Sequence, residues 1–207
     1  MNFGSYSSDD FDLILASRVV GTPTAKVSKV SVPGSDVTLD FTDYFGGVHF
    51  NNRTITLTFL SLEPWDDSMA NDMALKNAIH GKKLEIVFDD DPDWYWLGRV
   101  NVGDWTYYRR AGKIVVTIDC DPYKYKNHET VKTSSGDETI TLRNSRMPVV
   151  PYVSTSGEVT LAWSGYSVSL AAGEDQIVPQ LVLEQGSTQV EISGVATVSF
   201  RYREGSL

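Results

Sequence analysis

Four carboxylates, Asp89, Asp90, Asp91 and Asp93, form the densest group of chemically capable side chains in this sequence. Clustered carboxylates suit a hard cation such as calcium. The helix-loop-helix calcium pattern needs a glycine at its sixth loop position and a glutamate at its twelfth, and Leu97 to Asn101 supply neither in register. Pro92 among these aspartates makes an ordinary tight turn the favoured reading. His49, His80 and His128 are scattered, without the i, i+4 spacing or cysteine pair of a zinc site. His80, next to Gly81, suits a helix C-terminus. The lone cysteine, Cys120, excludes an internal disulfide framework and reads as a small buried hydrophobe. No Gly-x-Ser-x-Gly elbow, P-loop or Gly-x-Gly-x-x-Gly is present. Glycosidase carboxylates come from separate strands, so spacing cannot reveal them, but nothing here marks a pair. The expectation is a protein with no enzymatic activity, no cofactor and no metal.

The strongest feature is aromatic. Leu84, Ile86 and Phe88 alternate with other residues before the aspartate turn, and Trp94, Trp96 and Gly98 open a second alternating run that ends at Val102. Period-2 alternation on both sides of a polar, proline-bearing break predicts a β-hairpin. Within it Trp94 and Trp96 face one way and Tyr95 the other, so both faces carry rings. One face can serve the core, and the other invites a second contact. Trp94, Tyr95, Trp96, Arg99, Trp105, Tyr107 and Tyr108 are therefore candidate inter-subunit residues, with Arg109 and Arg110 as companions, since aromatic residues and arginine are enriched at interfaces. Plain core and rim packing is the alternative for the same rings.

The elements around the hairpin are mostly strands. Residues 12–16 are a strand candidate and 25–32 and 37–41 alternate, with a turn at Pro33 and Gly34 and another across Tyr44, Phe45, Gly46 and Gly47. Residues 54–60 place Ile55, Leu57 and Phe59 inward and three threonines outward. A helix is predicted over about 68–80, capped by Asp67 or Ser68 and ended by Gly81, with a face too poor in large residues to enter a core. Residues 113–119 give a third strand of the meander, stopped near Pro122. The polar stretch 126–137 separates two domains, 1–127 and 128–207. Beyond it, short strands at 138–142, 149–153, 158–163, 166–170, 176–183, 188–192 and 196–202 predict a small β-sandwich.

The length of 207 residues accommodates two such domains, and 41% hydrophobic with 22% charged residues is an ordinary globular balance. A net charge of −9 argues against a sequence-independent grip on nucleic acid. Neither a signal peptide nor an apolar run of ~18 residues is found, so neither secretion through a leader nor membrane insertion is expected.

Several motifs occur together in order: Leu57 to Leu60, Ile79-His80-Gly81-Lys82, Asp91 to Val100 through Trp94-Tyr95-Trp96, and Cys120-Asp121-Pro122-Tyr123. With the closing run Phe200 to Leu207, this succession resembles the distal tail proteins (Dit) of long-tailed phages and prophages of Gram-positive bacteria. The resemblance implies a mainly β, two-domain protein: an N-terminal ring-forming β-sandwich and a small galectin-like C-terminal β-sandwich. It implies a homohexameric hub ring at the virion tail tip or baseplate, assembled in the host cytoplasm. That ring joins the tail tube of major tail protein to the tail-associated hub protein, and DNA passes through it without specific binding. A carbohydrate-binding module is the second reading, with Trp94, Trp96, Trp105, Trp163 or Tyr166 stacking on sugar. The short C-terminal domain argues against it, and no glycan binding is expected.

Overall fold

The computed structural model describes all residues except 45, 63, 64, 109 and 110, and all their side chains except those of residues 65, 66, 68 and 108. Contacts divide the chain into two compact units, Met1–Pro122 and Tyr123–Leu207, so residues 123–127 group with the second unit. The protein is mainly β, with one α-helix among the described residues.

The first unit contains β1 (Asn2–Phe3), β2 (Tyr6–Ser7), a 3-10 turn (Ser8–Phe11), β3 (Ile14–Val20), β4 (Lys29–Ser31), β5 (Thr38–Asp40), β6 (Arg53–Ser61), α1 (Trp65–Ile79), β7 (Lys83–Val87), β8 (Trp94–Tyr108) and most of β9 (Ala111–Lys126). Seven of the strands form one sheet in the order β2-β1-β7-β8-β9-β6-β3. The sheet folds over on itself. Phe3 of β1 and Phe59 of β6 lie several strands apart in that order, yet their ring centroids are 6.2 Å apart. Between the two layers lie Ile55, Leu57, Phe59, Ile114, Val116 and Ile118, all fully buried. The alternation of β6 does what its sequence predicts, with apolar residues inward and threonines outward.

Three expectations need correction here. The helix begins at Trp65, so Asp67 and Ser68 stand inside it, and residues 63 and 64, where a cap would lie, are outside the described residues. Its last turn enters the core through Leu75, Ala78 and Ile79, leaving Met69 and Met73 exposed. Gly81 then ends it with φ +75°, a left-handed conformation that costs glycine least. The third strand of the meander runs on through Pro122. Pairing of β9 with β6 ends at Cys120 opposite Arg53, and its pairing with β18 (Gly205–Ser206) begins at Lys124, so neither of these two ladders draws on the N–H that Pro122 lacks.

In the second unit β10 (Thr130–Ser135), β11 (Glu138–Asn144), β12 (Tyr152–Thr155), β13 (Val159–Trp163), β14 (Tyr166–Leu170), β15 (Gly173–Ile177), β16 (Gly186–Ser193) and β17 (Thr197–Tyr202) precede β18. They make two four-stranded antiparallel sheets, β10-β17-β12-β15 and β11-β16-β13-β14. The core between them includes Leu142, Leu161, Val190, Val198, Phe200 and Tyr202. Its edge strand β10 occupies the polar stretch 130–135, which the sequence reads as linker; an edge strand with one wet face tolerates that composition.

The chain end is fastened by Glu204. Its carboxylate accepts hydrogen bonds from Lys126 Nζ at 2.8 Å, Thr130 Oγ1 at 2.7 Å and Ser145 Oγ at 2.7 Å. Burial alone would raise the pKa of this group, but the bonds from Lys126, Ser145 and Thr130 outweigh burial and hold it below the ordinary value. A lowered folded-state pKa contributes stability above the unfolded carboxylate range of about 4–4.5, and that contribution is lost as pH falls through the folded value. Glu204→Gln is therefore expected to lose about 1–2 kcal/mol at neutral pH. Urea unfolding across a pH series checks this, with the gap between variant and parent closing in acid.

Candidate assembly surface

The aromatic hairpin forms as predicted, with Lys83 opposite Arg99, Leu84 opposite Gly98 and Ile86 opposite Trp96. Its rings divide between several environments. Trp96 is 7% exposed and belongs to the core, with the Arg53 guanidinium 4.7 Å from its ring centroid. Tyr95 is buried on the opposite face of β8. Trp94, Trp105 and Tyr107 are half-buried, and Trp105 packs against the core cluster. Its indole lies so close over Gly112 that an added Cβ would come within 1.8 Å of the ring. Arg99 is exposed and donates from Nη1 to the Gly81 carbonyl at 2.5 Å. The side chain of Tyr108 and both Arg109 and Arg110 lie outside the described residues.

The acidic turn has a structural duty. Arg18 of β3 donates from both terminal nitrogens to Asp90 at 2.7 Å, and its guanidinium lies 4.3 Å from the Phe88 ring centroid. The hydrogen bond from Arg18 holds the Asp90 carboxyl below its ordinary pKa. The amino group of Met1 donates to Asp89 at 2.9 Å. Two of the four aspartates thus clasp the free edge β3 and the chain start to the hairpin turn. Among the described residues no three metal-capable side chains converge.

Cys120 lies beneath the meander, fully buried. Burial, reinforced by Asp119 and Asp121, pushes its thiol up to about 12 against the opposing pull of Arg53 and Lys83. Since the thiolate is the reactive form, Cys120 is expected to resist a thiol reagent in the folded protein and to react on denaturation. Modification followed by mass spectrometry tests this, and rapid native labelling would contradict it.

One apolar surface that this chain leaves uncovered lies in a segment the sequence reads as ordinary strand. Between Gly21 and Arg53 the chain leaves the sheet as a ribbon, held at its base by the Ala25–Phe50 bridge. At its outer part β4 pairs with β5, with Val30 opposite Leu39 and Lys29 opposite Asp40. The clean alternation is real, yet no core of this chain receives it: Val30, Leu39 and Val37 are 49%, 46% and 67% exposed. Strand β3 is likewise exposed throughout its length, with Ile14 at 56% and Val19 at 60%. Among the described residues its outer side has no strand partner in the sheet order.

Sheet order, the single helix and the second sandwich together allow comparison with known proteins. The fold is similar to that of a phage hub protein. Over 97% of this chain and 97% of the other, it superposes with a TM-score of 0.68 on the crystal structure of SPP1 Dit, described as a paradigm of the hub adsorption apparatus in phages infecting Gram-positive bacteria. The two sequences are 13% identical, so the likeness is one of fold. No family model and no curated protein sequence matches. Among the described residues no helix is long and apolar enough to cross a membrane.

Proposed function

We propose that this protein is a structural subunit of a phage or prophage tail tip, six copies of which close into a hub ring between the tail tube and the tail-associated hub protein. The observation that carries this reading is the fold shared with SPP1 Dit along the whole of both chains. Uncovered apolar surface on the ribbon and on β3 supports it, because an isolated subunit gains nothing from such surface. A ring of this kind repeats a head-to-tail contact until rotation closes it. The first unit forms the ring in this proposal, and the second is a galectin-like sandwich at its periphery. The net charge of −9 suits a channel through which DNA slides without being gripped. The role is one of assembly at the virion tail tip, after synthesis in the host cytoplasm, and needs neither catalysis nor a cofactor.

The carbohydrate reading finds less support. Of the rings it names, Trp96 and Trp163 are 7% and 6% exposed and belong to the two cores, Trp94 and Trp105 are half-buried, and Tyr166, stacked on Trp163 at 5.9 Å, is the exposed one. Light scattering combined with negative-stain imaging tests the ring. The expected result is a particle of six times the 23.0 kDa chain mass, with an open centre. A strict monomer at every soluble concentration would count against it.

A further inference from the structure

Arg53 occupies a position that arginine rarely fills without a counter-ion. The inward series of β6 runs Arg53, Ile55, Leu57, Phe59 and Ser61, all buried. Arg53 is the first of them and follows the exposed Asn51 and Asn52, so it stands at the end of the core and not in its middle. Cys120 of β9 is opposite it in the ladder, and its guanidinium lies over the Trp96 ring of β8 at 4.7 Å. Both neighbours are poor company for a charge.

A guanidinium carries five donors and a permanent positive charge. Among the described residues no acceptor meets those donors, and Nε is buried without a partner. No carboxylate acts on the group either: burial lowers its pKa, and only Cys120 opposes that shift. Other arginines of this chain are treated differently. Arg18 grips Asp90 with two nitrogens, and Arg201 bridges Glu129 and Asp175. Of the described arginines, Arg53 is the one classed with the buried residues, and it is left with a ring face alone. The ring recovers part of the cost of burying the charge. An apolar side chain of similar length would still serve the isolated subunit better. A feature held at the expense of stability points to function.

We propose that Arg53 is an oxyanion receptor, in which the guanidinium, backed by Trp96, takes a carboxylate or phosphate group at the end of the core beside Asn51 and Asn52. The class of ligand follows from the donor set. A planar fork matches two oxygens of one group, and an anion also cancels the charge. Two sources supply such a group: a free anion, or an acidic side chain of another copy, of which a chain with 27 acidic and 18 basic residues has a surplus. The inference does not require the ring, because a free anion fills the same site.

The test uses the full chain. Arg53→Met keeps the bulk of the stem and removes the charge and the donors. In sodium chloride alone, at a dilution where parent and variant are single chains, the melting temperature of Arg53→Met is expected to equal or exceed that of the parent. Inorganic phosphate or acetate, compared with sodium chloride at matched ionic strength, is expected to raise the melting temperature of the parent by several degrees with saturation and to leave Arg53→Met unmoved. That result assigns the site to a free oxyanion. If the parent ignores both anions but forms an oligomer that the folded Arg53→Met chain does not, the group comes from a neighbouring copy. In that case Arg53→Lys, which keeps the charge but loses the fork, is expected to assemble more weakly than the parent. A lower melting temperature for Arg53→Met, with no response of the parent to either anion, marks a purely structural arginine and overturns the proposal. Parent and variant alike in anion response and in particle mass overturn it as well. A parent that responds to anion yet stays monomeric at every soluble concentration upholds the receptor and counts against the ring reading alone.

Discussion

Trp96→Ala is expected to cost the first unit about 3–5 kcal/mol, the range for truncating a buried tryptophan. The ring is 7% exposed within the core, and its removal opens a cavity directly beneath the Arg53 guanidinium. Arg53 is itself buried, and its Nε has no hydrogen-bond partner. Without the indole face, a cation already short of partners would front an empty space or draw in water. Domains are stable by only about 5–15 kcal/mol, so the loss should lower the thermal midpoint by on the order of 10–20 °C. The result bears on assembly too. Loss of the ring in Trp96→Ala would report unfolding, whereas Arg99→Ala, altered at an exposed position, should leave the melting temperature nearly unchanged. A Trp96→Ala protein that melts like the parent but no longer assembles would return this residue to the interface.

Gly98→Ala should be nearly as damaging for a different reason. Strand β8 crosses β9 so closely there that an added Cβ would lie 2.7 Å from Cys120 Sγ, 2.7 Å from Ile118 Cγ2 and 2.8 Å from the Asp119 carbonyl oxygen. A side chain can turn aside, but a carbonyl held in a sheet ladder cannot. Overpacking of a tight core costs about 1–3 kcal/mol, and an immovable backbone neighbour puts this site at the upper end or beyond. Gly81 gives the contrast. Its surroundings are open and its φ is +75°, so replacement by alanine should cost only about 1 kcal/mol of backbone strain. Urea unfolding of the two variants side by side separates lack of room from lack of conformational freedom.

Legibility of the fold followed the strength of the local pattern. The threonine-backed run of β6, the hairpin around Trp94–Trp96 and the strands after Glu138 were readable because alternation there coincides with a face the same chain buries. The ribbon alternates equally well, yet its valine face stays exposed, because period 2 sorts residues between two faces without saying whether the chain covers either. Pro122 misled because a missing N–H ends a strand only where the ladder needs that donor. Trp65 was not readable as a helix start, since the capping aspartate and serine further on are common inside first turns as well. The candidate site was the least legible part. Rings on both faces of the hairpin do indicate two environments, and the structure buries both Trp96 and Tyr95 while Trp94, Trp105 and Tyr107 stay half-buried and Arg99 exposed, a division that alternation alone does not state.

The Met1–Asp89 ion pair, which spans 88 residues, also sets a timetable. Strand β1 pairs with β2 and with β7, Asn2 opposite Ser7 and Val87, so the short β1–β2 hairpin is joined to the rest of the sheet only once the chain has grown past the helix. Pairings so distant must overcome loop-closure entropy before any contact rewards it, and they slow folding. During that wait β3 and the valine ribbon are already outside the ribosome and unprotected. Productive assembly of this subunit therefore becomes a race between closing the sheet across β1 and β7 and premature sticking of the ribbon, and cooler, slower expression should favour the first.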